Sequence, residues 1–282
     1  MAVPMSGMTE EEQRRETLEI DLLLEGLFQL YEADFRSYER RSLRSRIFAF
    51  MADRGIKTVS SLLSLVLHDG AAADALCRAL VVHECALFDD AAEFSALRGM
   101  IGSSLGSFPA PKVWLAECLC AEDVFAFAIL LMEAELHERT LIFATCSNDL
   151  LLQEIRQGAF PLERLAHYEE SYRRAGGMRS LRHYLGERDG QAVFSEALRS
   201  RIIWAQYHLG TDSSFNEFQL ISCRKSFRDF NPMMRRRILN LFNDSLSRFG
   251  ILNVPVENDA EAYPLLAKYR AAECRGLYRR MV

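Results

Sequence analysis

The side chains of this sequence with the most chemical potential are its cysteines and a ladder of arginines. Seven cysteines stand at 77, 85, 118, 120, 146, 223 and 274. Cys118 and Cys120 close one apolar stretch, Cys146 closes the next, and His83 lies two positions before Cys85. Three thiols and an imidazole brought together would form a zinc ligand set, and a Cys/His pair is the start of a nucleophile. The Cys-x-Cys spacing departs from the usual Cys-x-x-Cys knuckle, and no third residue orients a nucleophile. Buried packing thiols are therefore the expected role, and neither a metal site nor a catalytic residue is assigned. An odd number of cysteines in a chain without a secretion signal is expected to stay reduced, in a cytoplasmic protein. Arg36, Arg40 and Arg44 recur at four-residue spacing and so line one helix face, with Arg41 and Arg46 adjacent. Two readings stand for that face: a contact surface for a protein partner with an acidic surface, or an ordinary solvated face. Glu39 is the only acid within the run. Arginines at this spacing could also grip a phosphate-bearing ligand, which nothing else in the sequence supports.

The elements that must position these groups fall into two regimes. Up to about residue 106 the apolar spacing is helical: Leu18, Leu22, Leu23 and Leu27, then Leu43, Ile47, Phe50 and Met51, then stretches over 59–67 and 71–80. From about 112 short buried strand patterns alternate with helices: KVWLAEC, a helix over 121–138, TLIFATC, a helix over 148–157, then SRIIWAQYHL and NEFQLISC, the last leading into a helix over 232–246. FGILNVPVE reads as a late edge strand, and residues 182–200, around a GERDG turn, as a small antiparallel insertion or a connecting loop. This alternation predicts an α/β fold with a mostly parallel sheet. The expected division is a polar tail over 1–17, an all-helical domain over 18–106 and the sheet domain over 107–282, with SFPAP as the linker. At 282 residues, 49% hydrophobic and 26% charged, the chain can bury a substantial core. A net charge of −5 gives no global basic field for nucleic acid. The longest apolar run, VFAFAILLM at 124–132, is too short to insert across a membrane.

Five strings, in order, resemble the CheR family, which methylates glutamates on bacterial chemoreceptors. YEADFRSYERRSLRSRI is similar to its opening segment, and VHECALFDD stands where the family carries Glu-Thr-x-Phe-Phe-Arg-Asp. VWLAECLCAEDVFAFAILL parallels its glycine-rich Trp-Ser-Ala-Gly-Cys-Ser-x-Gly-Glu-Glu string. IFATCSNDLLLQEIRQGAF parallels Ala-Thr-Asp-Ile-Asp, and FQLISCRKSFRDFNP parallels Phe-Asp-Leu-Ile-x-Cys-Arg-Asn-Val-Leu-Ile-Tyr-Phe. The resemblance implies a small N-terminal all-helical domain followed by a Rossmann-like class I methyltransferase domain, and a chemoreceptor or other signalling protein as partner.

It also implies a cofactor pocket, and the departures from the family pattern fall there. Glu117 stands at the first family glycine and Ala121 at the second, while Cys118 and the acid Glu122 persist. Cys146 replaces the aspartate that would take the ribose hydroxyls, and Asn148 the next one. Asp89 stands where an arginine would meet the cofactor's carboxylate. Lys225 replaces an asparagine on the substrate side, and His208 stands where an Asn-Leu pair follows the preceding strand. Each lost polar contact costs about 1–3 kcal/mol, and together they exceed the roughly 8 kcal/mol of a micromolar ligand. The expectation is a non-catalytic signalling or regulatory binding module without a cofactor. The alternatives are an active, divergent methyltransferase using S-adenosylmethionine, or a sensor of another small ligand.

Overall fold

Thr9 opens the first helix with a reciprocal capping box: its side chain accepts from the Glu12 amide while Glu12 accepts from the Thr9 amide. The computed structural model describes residues 9–81, 85–256 and 263–281, and the chain separates into two units. One holds residues up to 82 together with Arg228–Met234, and the other holds the rest.

The first unit is built from α1 (Glu10–Tyr31), α2 (Arg40–Asp53), α3 (Val59–His68) and α4 (Gly70–Val81). The inward face of α1 is Ile20, Leu23, Leu24 and Leu27. Leu18 and Leu22, expected on that face, are at least half exposed. At 100° per residue they lie roughly 160–200° round from Ile20. On α2 the buried set is Leu43, Ile47, Phe50 and Met51, as its spacing predicts. The segment Arg228–Met234 returns to this unit. Phe230 bridges Tyr38, the Glu39 amide donates to the Asp229 carbonyl at 2.6 Å, the Asn231 amide to the Ser37 carbonyl at 2.9 Å, and Arg46 pairs with Asp229 at 2.8 Å.

The arginine ladder is already matched from within the unit. Arg36 pairs with Asp34 at 2.9 Å, approaches Glu25 at 3.9 Å and lies over the Phe28 ring. Arg40 pairs with Asp21, and Arg44 forms a two-pronged bond to Glu16 at 2.5 and 2.9 Å. Arg36, Arg40 and Arg41 are exposed, whereas Arg44 and Arg46 are half-buried. The acids that face these arginines, Asp34 and three of α1, lie outside the window in which Glu39 is the only acid.

The second unit opens with α5 (Ala91–Leu105), capped by Asp90. The helical domain was expected to run to 106, but α5 packs on the sheet and on α6, because Phe94, Leu97 and Ile101 form a buried stripe. The chain continues through β1 (Lys112–Leu115), α6 (Ala121–Glu133), β2 (Leu141–Cys146), α7 (Asp149–Gln157), β3 (Ala159–Pro161), α8 (Leu165–Arg174), β4 (Leu185–Arg188), β5 (Gln191–Phe194), α9 (Glu196–Arg199), β6 (Ile202–Gln206), β7 (Phe218–Ser222), α10 (Pro232–Ser245), β8 (Leu246–Asn253), β9 (Tyr269–Ala271) and β10 (Leu277–Arg280).

The main sheet runs β6-β2-β1-β7-β8-β10-β9. Its first five strands are parallel and β10 is antiparallel to both neighbours. The strand expected at the edge, β8, is therefore interior, because β10 and β9 cover it. Trp114 sits at the centre, fully buried, its indole N–H donating to Thr145 Oγ1 at 2.9 Å. The 182–200 stretch takes the antiparallel form: β4 and β5 join through Asp189 and Gly190, both at positive φ, and pair with β3 in a small second sheet. From β1 the chain moves to β2 on one side, while β7 flanks it on the other. That reversal falls at the carboxyl ends of the strands, where such sheets usually form a ligand crevice.

Candidate functional site

The turn leaving β1 threads between its neighbours. The Ala116 amide donates to the Ser222 carbonyl of β7 and the Cys118 amide to the Thr145 carbonyl of β2, each at 2.8 Å. Between them Glu117 takes a left-handed backbone, φ +52°, a conformation that costs a side-chain-bearing residue on the order of 1 kcal/mol relative to glycine. The turn thus keeps a glycine's shape without the glycine. Glu117 is buried. Its Oε1 accepts from Ser147 Oγ at 2.5 Å and from the Ser147 amide at 3.4 Å, with Cys146 Sγ at 4.0 Å. Burial pushes its pKa up to about 7 against the opposing pull of the Ser147 bonds. Burial likewise raises the Cys118 and Cys146 thiols far above their ordinary value, so both are neutral, unreactive walls.

A second cluster centres on Arg224, just beyond β7. Its guanidinium makes a two-pronged bond to Glu93 of α5 at 2.8 and 2.9 Å, and reaches Asp123 of α6 at 2.7 Å and Asp89 at 2.9 Å. It also lies over the Phe94 ring, and Glu93 takes a further bond from Asn253 at 2.8 Å. Lys225 pairs with Asp89. Burial opposes ionisation of Asp89, but Arg224 and Lys225 hold its pKa below the usual carboxylate value. Burial raises Asp123 despite Arg224. Asp89, which the resemblance sets in the place of an arginine, is therefore a neutralised member of a network. Ser226 links the two clusters, donating to the Glu117 carbonyl at 3.2 Å and lying 3.3 Å from Cys223 Sγ.

Of the residues singled out from the sequence, the fold gathers Glu117, Cys118 and Cys146 in one cluster and Asp89 and Lys225 in the other. Ala121 opens α6 beside them. Glu122 turns to α8, accepting from Tyr168 at 2.9 Å. Asn148 caps α7 through the Leu151 amide. His208 is exposed in the turn after β6. Ser147, Glu93 and Asp123 went unnoticed in the sequence; the only signal for the last two is an acid in the first turn of a helix. Cys85 and Cys120 are joined in a disulfide, which corrects the expectation of an all-thiol set and ties the 85–90 loop to the start of α6. Their pairing across 35 residues has no spacing signature. His83 lies outside the described residues.

Residues 84–260 match the CheR methyltransferase, SAM binding domain, and residues 18–81 match the CheR methyltransferase, all-alpha domain. The chain belongs to the CheR methyltransferase family. It is 38% identical, over 85% of its length and 88% of the relative's, to "Putative methyltransferase Cher3" of Pseudomonas putida. It is 25% identical over 78% of its length to an uncharacterized 104.1 kDa protein of Rhodobacter capsulatus, of which it covers 23%. With a chemotaxis protein methyltransferase of Listeria innocua it shares 22% identity over 78% of its length and 81% of that protein. The expectation of no cofactor is overturned by the match of residues 84–260 to an S-adenosylmethionine-binding domain.

The groups in the crevice fit that cofactor. A left-handed turn brings backbone close to the strand ends, a carboxylate lies at the end of β2, and two cations stand beyond β7.

Proposed function

We propose that the chain is an S-adenosylmethionine-dependent O-methyltransferase that esterifies glutamate side chains on a signalling protein, in the cytoplasm where that cofactor is made. The observation that carries this reading is the turn at Glu117, whose glycine-like backbone sits at the reversal point of a parallel sheet. The cofactor supplies an electrophilic methyl group. A substrate carboxylate is ionised and nucleophilic at neutral pH, so the chain needs no general base, and its work is orientation and exclusion of water. The Arg224 network suits that work by locking the 85–90 loop, α5, α6 and β8 to one another.

Calorimetric titration with S-adenosylmethionine and S-adenosylhomocysteine tests the first half of the reading, with binding expected in the micromolar range or tighter. Incubation with receptor signalling domains and methyl-labelled cofactor tests the second, with base-labile label expected on the acceptor. Binding without transfer would replace the enzyme with a cofactor-responsive binding module. The absence of binding at millimolar ligand would overturn the reading.

A further inference from the structure

Open α/β sheets that hold a ribose do so with a carboxylate just beyond the end of the second strand, because two adjacent hydroxyls are best matched by an acceptor with two oxygens. Here that strand ends in Cys146, whose neutral thiol is a weak acceptor. A carboxylate is nevertheless present at the spot. Glu117 reaches it from the β1 turn, and all of its contacts with Ser147 and Cys146 use Oε1. Among the described residues Oε2 makes no hydrogen bond.

We propose that Glu117 takes over the ribose contact, accepting from the cofactor's ribose hydroxyls while Ser147 holds the carboxylate in place. The acid has moved from the second strand to the turn after the first, and stays at the same place in the crevice. This rests on the methyltransferase reading above. A side chain in a left-handed turn, carrying a buried acid with one hydrogen-bonding side chain, is strained on two counts, and strain of that kind concentrates where ligands bind. The groups facing Glu117 are uncharged: the Cys146 thiol and Ser147 hydroxyl on the β2 side, the Cys118 thiol of its own turn, and Ser226 beyond β7. The nearest charges, Arg224, Lys225 and Asp123, belong to the second cluster and are matched there. No fixed cation holds the acid ionised, so ligand hydroxyls would, and binding near neutral pH would expel a proton.

The test is calorimetry of the full chain with S-adenosylhomocysteine and with its 2′,3′-dideoxyribose analogue, across pH and in buffers of different ionisation enthalpy. For the wild type the expected results are proton release on binding near neutral pH and affinity that weakens as pH falls below about 7. Glu117→Gln is expected to weaken the ribose ligand by about tenfold or more, to abolish the proton release, and to leave the dideoxy analogue unchanged. Ser147→Ala, a milder change, is expected to shift affinity in the same direction. If Glu117 is only a plug, Glu117→Gly will bind more tightly than wild type and Glu117→Gln will match it, and the proposal is wrong. A wild-type chain that binds neither ligand would instead remove the methyltransferase reading and this proposal with it.

Discussion

Arg224 is held by three carboxylates and an aromatic face at once. Removing one side of a buried ionic network leaves the other uncompensated, at a cost of about 3–5 kcal/mol. Arg224→Met is therefore expected to lower the urea midpoint sharply, and Arg224→Lys to restore little, since an ammonium cannot span three acids with a planar fork. Glu117 behaves in the opposite sense. Its folded pKa of about 7 lies above the ordinary 4.5, so the folded chain keeps a proton that the unfolded chain releases. Stability is therefore lost as pH rises between those values. Without ligand, Glu117→Gln is expected to be more stable than wild type by roughly 1–3 kcal/mol near pH 8 and equal to it near pH 4, measured by denaturant melts. The sequence marks this position only by its resemblance, as an acid where the family string carries glycine. What it could not show is direction: whether an acid at 117 blocks the crevice or serves the end of the neighbouring strand depends on where a left-handed turn aims its side chain. Asp89 is the same kind of case, because its meaning depends on Lys225 and Arg224, more than a hundred positions away.

At the level of elements, the α1–α2 ladder gives a graded prediction. Arg44 and Glu16 are mostly sheltered and bonded through two oxygens, whereas Arg40 and Asp21 are about half exposed. A double-mutant cycle on the first pair is expected to yield a coupling of about 1 kcal/mol and on the second no more than about 0.5 kcal/mol, with the second vanishing in molar salt. Reversing Arg36, Arg40 and Arg44 together is accordingly expected to destabilise the helical unit itself, visible as a loss of its thermal transition. These pairings were hidden from the sequence because the acids sit on a different helix, and local windows report only Glu39. The elements with clear apolar contrast are legible: the buried face of α2, the strands β1, β2 and β7, and the apolar run Val124–Met132 of α6 all follow from spacing. The missing ones, β9, β10 and α8, are short or rich in arginine and glutamate, so their patterns lack the apolar contrast on which periodicity depends.

For the molecule as a whole, the Cys85–Cys120 bond closes a loop across α5 and β1. A crosslink over a loop of that size limits the unfolded chain by roughly 3–4 kcal/mol. Reductant, or Cys85→Ser, is expected to lower the melting temperature of the sheet unit, and alkylation of the denatured, unreduced chain to label two fewer cysteines than after reduction. The return of Arg228–Met234 to the helical unit carries a different consequence, for synthesis on the ribosome. Four helices have emerged once residue 81 is out, yet Asp229 and Phe230, the partners of Arg46 and Tyr38, are encoded about 150 residues later. At roughly 5–20 residues per second that is a wait on the order of 10–30 s. During that interval the nascent helical unit holds Arg46 without its carboxylate and Tyr38 without its covering ring, so its completion is timed by translation of the domain that follows it.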